Sequence, residues 1–283
     1  FENCSSLTNV AIPSSVTNIG GRAFYNCSSL TSITIPDGVT QIGSDAFAYS
    51  GLTSVTIPGS VTNMGTMVFY NCDNLKTAVL QKGIQSINLG TFNGCDNLTS
   101  VTIPDSVTSI GGGDNWSYGA FGYCKSLTSI AIPASVKDIG IRAFEGCTSL
   151  ARVTMPEGVT SIGKSAFDGC SALTSVTIPA SVKTIGSSAF SGCTGLVDVT
   201  ISDGVITIGS SAFSGCSSLT SIVIPASVTT IGSSAFQNCS VLTNAKIAEG
   251  VPSIGSSAFE NCSSLTNVAI PSSVTNIEGR AFN

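Results

Sequence analysis

Leu173 to Gly195 reads LTSVTIPASVKTIGSSAFSGCTG, and these 23 residues decide the fold because nearly every other segment is a variant of them. The shared pattern is L-x-x-V-x-I-P-x-x-V-x-x-I-G-x-x-A-F-x-x-C-x-x. It is headed by Leu7, Leu30, Leu52, Leu75, Leu98, Leu127, Leu150, Leu173, Leu196, Leu219, Leu242 and Leu265. Within the unit, Ser175-Val176-Thr177-Ile178 alternates small polar and β-branched residues, so a strand is expected with Val176 and Ile178 facing in and Ser175 and Thr177 facing out. Pro179 has no N–H to give a ladder and ends pairing on that side. After a corner at Ala180-Ser181, Val182 and Ile185 point inward again, Gly186 allows the next bend, and Ser187–Phe190 reads as a short helical or 3₁₀ turn.

Each copy therefore presents about eight inward residues (Leu, Val, Ile, Val, Ile, Ala, Phe, Cys), which one coil cannot bury alone and stacked coils bury continuously. A fixed period of about 20 to 29 residues with this head is the mark of a leucine-rich solenoid. The fold class expected is a right-handed solenoid, mainly β, with one parallel sheet on the concave face and short strands or 3₁₀ turns on the convex side. Residues 1–283 then form a single solenoid domain of about twelve repeats. Stacking at roughly 4.8 Å per strand places Phe144, Phe167, Phe190, Phe213, Phe236 and Phe259 in a ladder along one wall.

Only 10% of the 283 residues are charged, so Ser, Thr, Asn and Gly must make up most of the surface. The net charge of -5 and scattered Lys and Arg exclude a nucleic-acid footprint. Mean hydropathy is +0.40, yet no apolar run approaches the roughly 18 residues a spanning helix needs. No membrane insertion is expected in this segment.

The irregular copies carry information. The copy holding Tyr49 is one residue short and has Tyr49-Ser50 where Cys is expected. The copy from Leu75 to Phe92 loses its Pro. Six extra residues fall within 111–119, in GGGDNWSYG, which contains the single Trp of the chain, Trp116. Pro-Ala corners alternate with Glu157-Gly158, Asp203-Gly204 and Glu249-Gly250, which keeps acids off adjacent coils where like charges would destabilise the stack, although duplication of a two-coil unit accounts for the alternation equally well. Phe1–Tyr25 nearly recurs as Phe259–Asn283, with Gly20 against Glu278 and Tyr25 against Asn283. The recurrence suggests an excerpt of a longer array.

Candidate chemistry is sparse. The chain has no His, which removes Ser-His-Asp and Cys-His catalysis and the commonest metal ligand, and its acids are dispersed. No catalytic residue, metal site or cofactor is expected. The eleven cysteines each occupy the same inward slot. Buried thiols acting as small hydrophobes, with Cys147, Cys170, Cys193 and Cys216 as core examples beside the Phe ladder, are favoured over disulfides between adjacent coils or a metal ladder. Six N-x-[ST] sequons occur, at Asn3, Asn26, Asn97, Asn115, Asn238 and Asn261. Each is either a candidate glycosylation site or a polar turn residue beside the buried Cys. Trp116 and Tyr118 in the insert are candidate binding anchors, or cover the coil edge. The outward strand positions, among them Thr102, Arg152, Thr154, Thr177, Asp198 and Thr200, form an array that is either a solvated sheet face or a binding face. An ice-binding plane is counted against by Val79, Ala131, Val223 and Lys246.

At LTSVTIPASVKTIGSSAFSGCTG the chain resembles the BspA-like, or Treponema-type, leucine-rich repeat family, and the resemblance covers essentially all of it. Pro stands where ordinary leucine-rich repeats carry an Asn ladder. The resemblance implies an extracellular or cell-surface bacterial protein that is not an enzyme, with host or matrix proteins, glycans or other cells as partners. It supplies no binding residues to carry over. The expected function is an adhesion or binding scaffold; the alternative is a stalk or filament subunit that associates end to end.

Overall fold

A computed structural model describes residues 1–111 and 118–283. It is a parallel β-solenoid with no helix among the described residues. From Leu52 onward the coils contribute to two walls and one turn edge, while the first two coils form only the short strand. One wall is built from strands of three or four residues, such as Ser175–Ile178 and Asp198–Ile201, and the other from two-residue strands such as Thr184–Ile185 and Thr207–Ile208. Pairing is parallel and repeats the sequence period, with Val176 beside Val199, Ile178 beside Ile201 and Ile185 beside Ile208. The inward residues fuse into one core cluster running from Ile19 to Ala281.

Local chemistry fixes where each wall begins and stops. Pro179 cannot donate, whereas the Pro-less copies gain a rung there: Gln81, Ser202 and Ala248 donate their N–H groups to Ile57, Ile178 and Ile224 at 3.0 Å each. The long-strand wall falls into four hydrogen-bonded groups, the longest being Ser54–Ile57 with Thr77–Leu80 and Ser100–Thr102, and Ser221–Ile224 with Asn244–Ile247 and Asn267–Ala269. Neighbouring groups stay in contact across each break. The short-strand wall is more continuous, with nine strands from Ser86–Ile87 to Asn276–Ile277 and three more from Asn18–Ile19 to Asn63–Met64. Its one interruption, between Met64 and Ile87, has a specific cause. In the regular coils the N–H of the corner glycine donates to the preceding coil, as Gly186 does to Ile162 at 2.9 Å. The divergent coil has Asn88 in that slot, and its side-chain amide takes the Met64 carbonyl instead. At the inner corner Gly186 the slot excludes a side chain, because a Cβ there would lie 2.5 Å from the carbonyl carbon of Gly163, whereas the last coil carries Glu278 in the same slot and keeps the bond to Ile254 at 3.0 Å.

The segment Ser187–Gly195 is the turn edge. Its bonds span three residues, from Ala189 N–H to Gly186 O at 3.2 Å and Cys193 N–H to Phe190 O at 3.3 Å, so they are of 3₁₀ type. No helix forms because the chain turns left-handed twice, at Ser188 (φ 55) and Gly192 (φ 65). The freed donors point along the solenoid axis. Ser188, Phe190 and Gly192 donate to Ser210, Ala212 and Ser214 of the next coil at 2.7–2.8 Å. This forward ladder sets the aromatic register. All thirteen phenylalanines stack in one column, with centroids 5.1–5.5 Å apart and planes within 11° of each other. The six-residue insert leaves the column intact, since Phe92 and Phe121 stack at 5.4 Å across it.

Beside the rings runs a column of thiols, free in all eleven cysteines. Each buried Sγ donates to the phenylalanine carbonyl of the preceding coil: Cys147 to Phe121 at 3.0 Å, Cys170 to Phe144 at 3.2 Å, Cys193 to Phe167 at 3.1 Å, Cys216 to Phe190 at 3.2 Å. That carbonyl already accepts the local turn N–H, so the thiol fills its second lone pair. A purely hydrocarbon residue of the same size could not. Ser50 occupies the same slot in the short copy, buried and 3.3 Å from Cys72 Sγ.

Candidate binding surfaces

Within each hydrogen-bonded group the long-strand wall presents its outward side chains in register. Arg152 and Thr154 extend from one strand, Thr177 from the next coil, and Asp198 and Thr200 from the one after, with Thr177 directly beside Thr200. All five are exposed, as is Thr102 two coils before Arg152. Neither Arg152 nor Asp198 forms an ion pair among the described residues. The face is therefore polar, with separate charges of both signs and two half-exposed valines, Val79 and Val223.

The corner threonines behind the long strands are different. Thr40, Thr108 and Thr160 donate their hydroxyls to the preceding coil's carbonyls at 3.1–3.2 Å. Their polar capacity is partly spent on stacking. On the strand face, Thr177 and Thr200 keep theirs for solvent or a partner.

The turn edge holds the remaining candidates. Tyr118 does not join the strand face: its ring meets Tyr70 edge-on at 5.2 Å and 72°, continuing a file of Tyr25, Tyr49 and Tyr70 at 5.4–5.5 Å. Trp116 and the sequon at Asn115 lie outside the described residues. Asn3, Asn26, Asn97, Asn238 and Asn261 are exposed on this edge. Four of them occupy the left-handed slot before the cysteine, at φ 55–62, a conformation in which Asn is enriched for backbone reasons alone. Asn26 Nδ2 donates to Asn3 Oδ1 at 3.0 Å, and Asn261 Nδ2 to Asn238 Oδ1 at 2.9 Å. Asn97 donates to the Asp73 carbonyl at 2.7 Å.

Two features were not legible as site residues in the sequence. Tyr123 stands in the same left-handed slot as those asparagines, with a half-exposed ring. Asp73, Asp96 and Lys125 line a cavity of about 380 Å³ beside it. The signal that could have found Tyr123 is a bulky residue in a slot that, apart from Tyr49, is given to Gly or Asn. Burial, then hydrogen bonding with Tyr118, pushes the Tyr70 phenol up to about 12. Burial likewise pushes the Cys147 and Cys216 thiols up to about 12, which leaves them protonated and unreactive. Among the described residues, no group of three or more His, Cys, Asp or Glu side chains could hold a metal ion. No helix among them is long and apolar enough to cross a membrane.

Comparison with known proteins fits this architecture. The family model described as BspA type leucine rich repeat region, in six copies, matches residues 1–113, 114–241 and 162–283. A leucine-rich repeat protein from Bacteroides ovatus superposes with a TM-score of 0.74 at 29% identity, covering 98% of this chain and 70% of that one. A leucine rich cell surface protein from Faecalibacterium prausnitzii gives 0.56 at 31% identity, with 94% and 79% covered. The T. pallidum leucine rich repeat protein gives 0.52 at 28%, covering 68% and 78%. No protein of curated function matches by sequence.

Proposed function

Because the chain belongs to the BspA-type leucine-rich repeat family, we propose that it is a non-catalytic adhesion scaffold displayed outside a bacterial cell, with the long-strand wall as its protein-contact face. The observation that carries this reading is the array of exposed side chains from Arg152 to Thr200 along the long-strand wall, with Thr177 in register beside Thr200. A repeated rigid surface binds without paying to order itself. The cell-surface description of the F. prausnitzii relative supports the location.

The test is solid-phase binding of the soluble array to immobilised extracellular-matrix proteins. Placing lysines at Thr177 and Thr200 (T177K with T200K) is expected to weaken capture at least tenfold. The control Thr230→Lys, on the short-strand wall, is expected to leave it unchanged. Equal capture by both variants would remove the wall from the reading.

A stalk or filament role is supported by a different observation, the recurrence of Phe1–Tyr25 as Phe259–Asn283 with two changes. Electron microscopy of native material tests it: fibres support assembly, and discrete short rods count against it.

A further inference from the structure

The position before the cysteine is left-handed in all twelve coils, from Asn3 to Asn261. Ten of those coils place Gly or Asn there, the residues that tolerate the conformation best. The exceptions are Tyr49 and Tyr123, at φ 58 and 59. A bulky side chain held in this region against its backbone preference is the kind of outlier from which a functional role is argued.

The surroundings of Tyr123 say what the role is. The next coil offers Gly146 beneath the ring, and a Cβ there would lie 2.6 Å from a ring carbon. Tyr123 thus lies against the Gly146 backbone while the residue keeps 43% of its surface exposed. The backbone N–H of Tyr123 donates to the Glu145 carbonyl at 2.6 Å, which ties its position to the next coil. On the Cys72 side of the ring, the cavity of about 380 Å³ brings Tyr70, Asn71, Asp73, Asp96 and Lys125 to the same mouth. Lys125 Nζ pairs with Asp96 at 2.9 Å, and among the described residues Asp73 makes no ion pair.

We propose that this cleft is a saccharide-binding site in which the open face of Tyr123 stacks on the apolar face of a pyranose and Asp73, Asn71 and Lys125 bond its hydroxyls. An aromatic platform beside a carboxylate, an amide and an ammonium matches a ring with one C–H face and a rim of groups that both donate and accept. A cationic ligand fits less well. Lys125 lines the cleft and pairs with Asp96, so an incoming cation meets a like charge. The site deepens the scaffold reading, on which it rests, by naming a second contact surface with its own ligand class.

Saturation-transfer NMR of the whole chain tests it, with the methyl glycosides of D-galactose, D-glucose, D-mannose and N-acetyl-D-glucosamine as probes and tetramethylammonium as the cationic control. At least one glycoside is expected to bind, and Tyr123→Asn and Asp73→Asn are each expected to weaken it about tenfold, the effect of losing one good stacking or charge-assisted contact. Tyr123→Asn installs the residue that other coils use, so its Tm is expected to hold or rise. The proposal is overturned if no glycoside binds, if binding survives both variants, or if only tetramethylammonium shows a signal that Asp73→Asn abolishes. The paired lysine substitutions at Thr177 and Thr200 are expected to leave glycoside binding untouched, so failure of the protein-contact face reads separately.

Discussion

Residues 136–220 and residues 40–125 are built on one pattern and differ in how strictly they keep it. In the later stretch every coil has 23 residues, a corner glycine, and Gly146, Gly169, Gly192 or Gly215 in the left-handed slot. The earlier stretch contains a shortened coil, an insert, Asn88 in the glycine slot and two tyrosines with positive φ. The phenylalanine column does not register the difference. Its spacing is 5.4 and 5.5 Å at Phe47–Phe69 and Phe69–Phe92, against 5.2 and 5.3 Å at Phe167–Phe190 and Phe190–Phe213. The interior of a solenoid is thus insulated from changes at its corners, because each coil meets only its neighbours. Variation collects on the turn edge, where the candidate ligand chemistry also lies.

The strongest way to break this comparison is to remove a ring from each half. Phe69→Ala and Phe190→Ala both delete a fully buried ring stacked on two neighbours. Each should cost about 3–5 kcal/mol, measured by denaturant unfolding, with the two values within about 1 kcal/mol of each other. A much milder loss at Phe69 would mean that the irregular half is loosely packed and its regular ring spacing misleading.

A smaller test separates hydrophobic filling from hydrogen bonding in the thiol column. Cys193→Ala leaves the second lone pair of the Phe167 carbonyl empty and opens a small void, for an expected loss of about 1–2 kcal/mol. Cys193→Ser keeps a donor, and the chain itself tolerates Ser50 in the equivalent slot. The serine variant should lose less than the alanine variant. The reverse order would make the thiol a filler only.

Smaller again is Tyr49→Asn, in the irregular half. It relieves a left-handed tyrosine at the expense of edge contacts to Tyr25 and Tyr70. The two terms oppose, and the conformational gain of up to about 1 kcal/mol should leave Tm unchanged or slightly raised. The equivalent Gly192→Tyr in the regular half has no aromatic neighbours on its edge to offset the strain and should lower Tm.

The sequence alone showed the period, the inward positions and the ring ladder, because all three follow from side-chain type and spacing. Three things escaped it, each for a physical reason. The thiol-to-carbonyl bonds join residues 26 apart in sequence and depend on coil stacking that no local pattern encodes. The left-handed turn at Ser188 is invisible because serine has no preference for it, so a helical or 3₁₀ reading was natural. The sequon asparagines read either as modification sites or as polar turn residues, and what the sequence does not show is the left-handed backbone of their slot, a reason for Asn that is independent of any glycan. Asn26 and Asn261 each already donate to the preceding coil's Asn, so intact mass on native material is the direct test of occupancy. Tyr123 went unremarked because its oddity exists only relative to the same slot in other coils.

The smallest effect expected is a pH slope that distinguishes a regular coil by its one half-buried acid. Burial pushes the Asp168 carboxyl above the ordinary carboxylate range, against the opposing pull of hydrogen bonds from Ser191 and Ser165 and the Arg142 charge. The folded state therefore holds this proton to higher pH than the unfolded chain does. Its contribution is fully present below the unfolded value and is lost as pH rises through the folded one, so stability falls across the acid side of neutrality rather than rising. Glu145, also pushed up mainly by burial, adds to the same slope. Asp168→Asn removes one titration, so the Tm difference between pH 4 and pH 7 should shrink relative to the parent. An unchanged or larger difference would place the slope on other carboxyls.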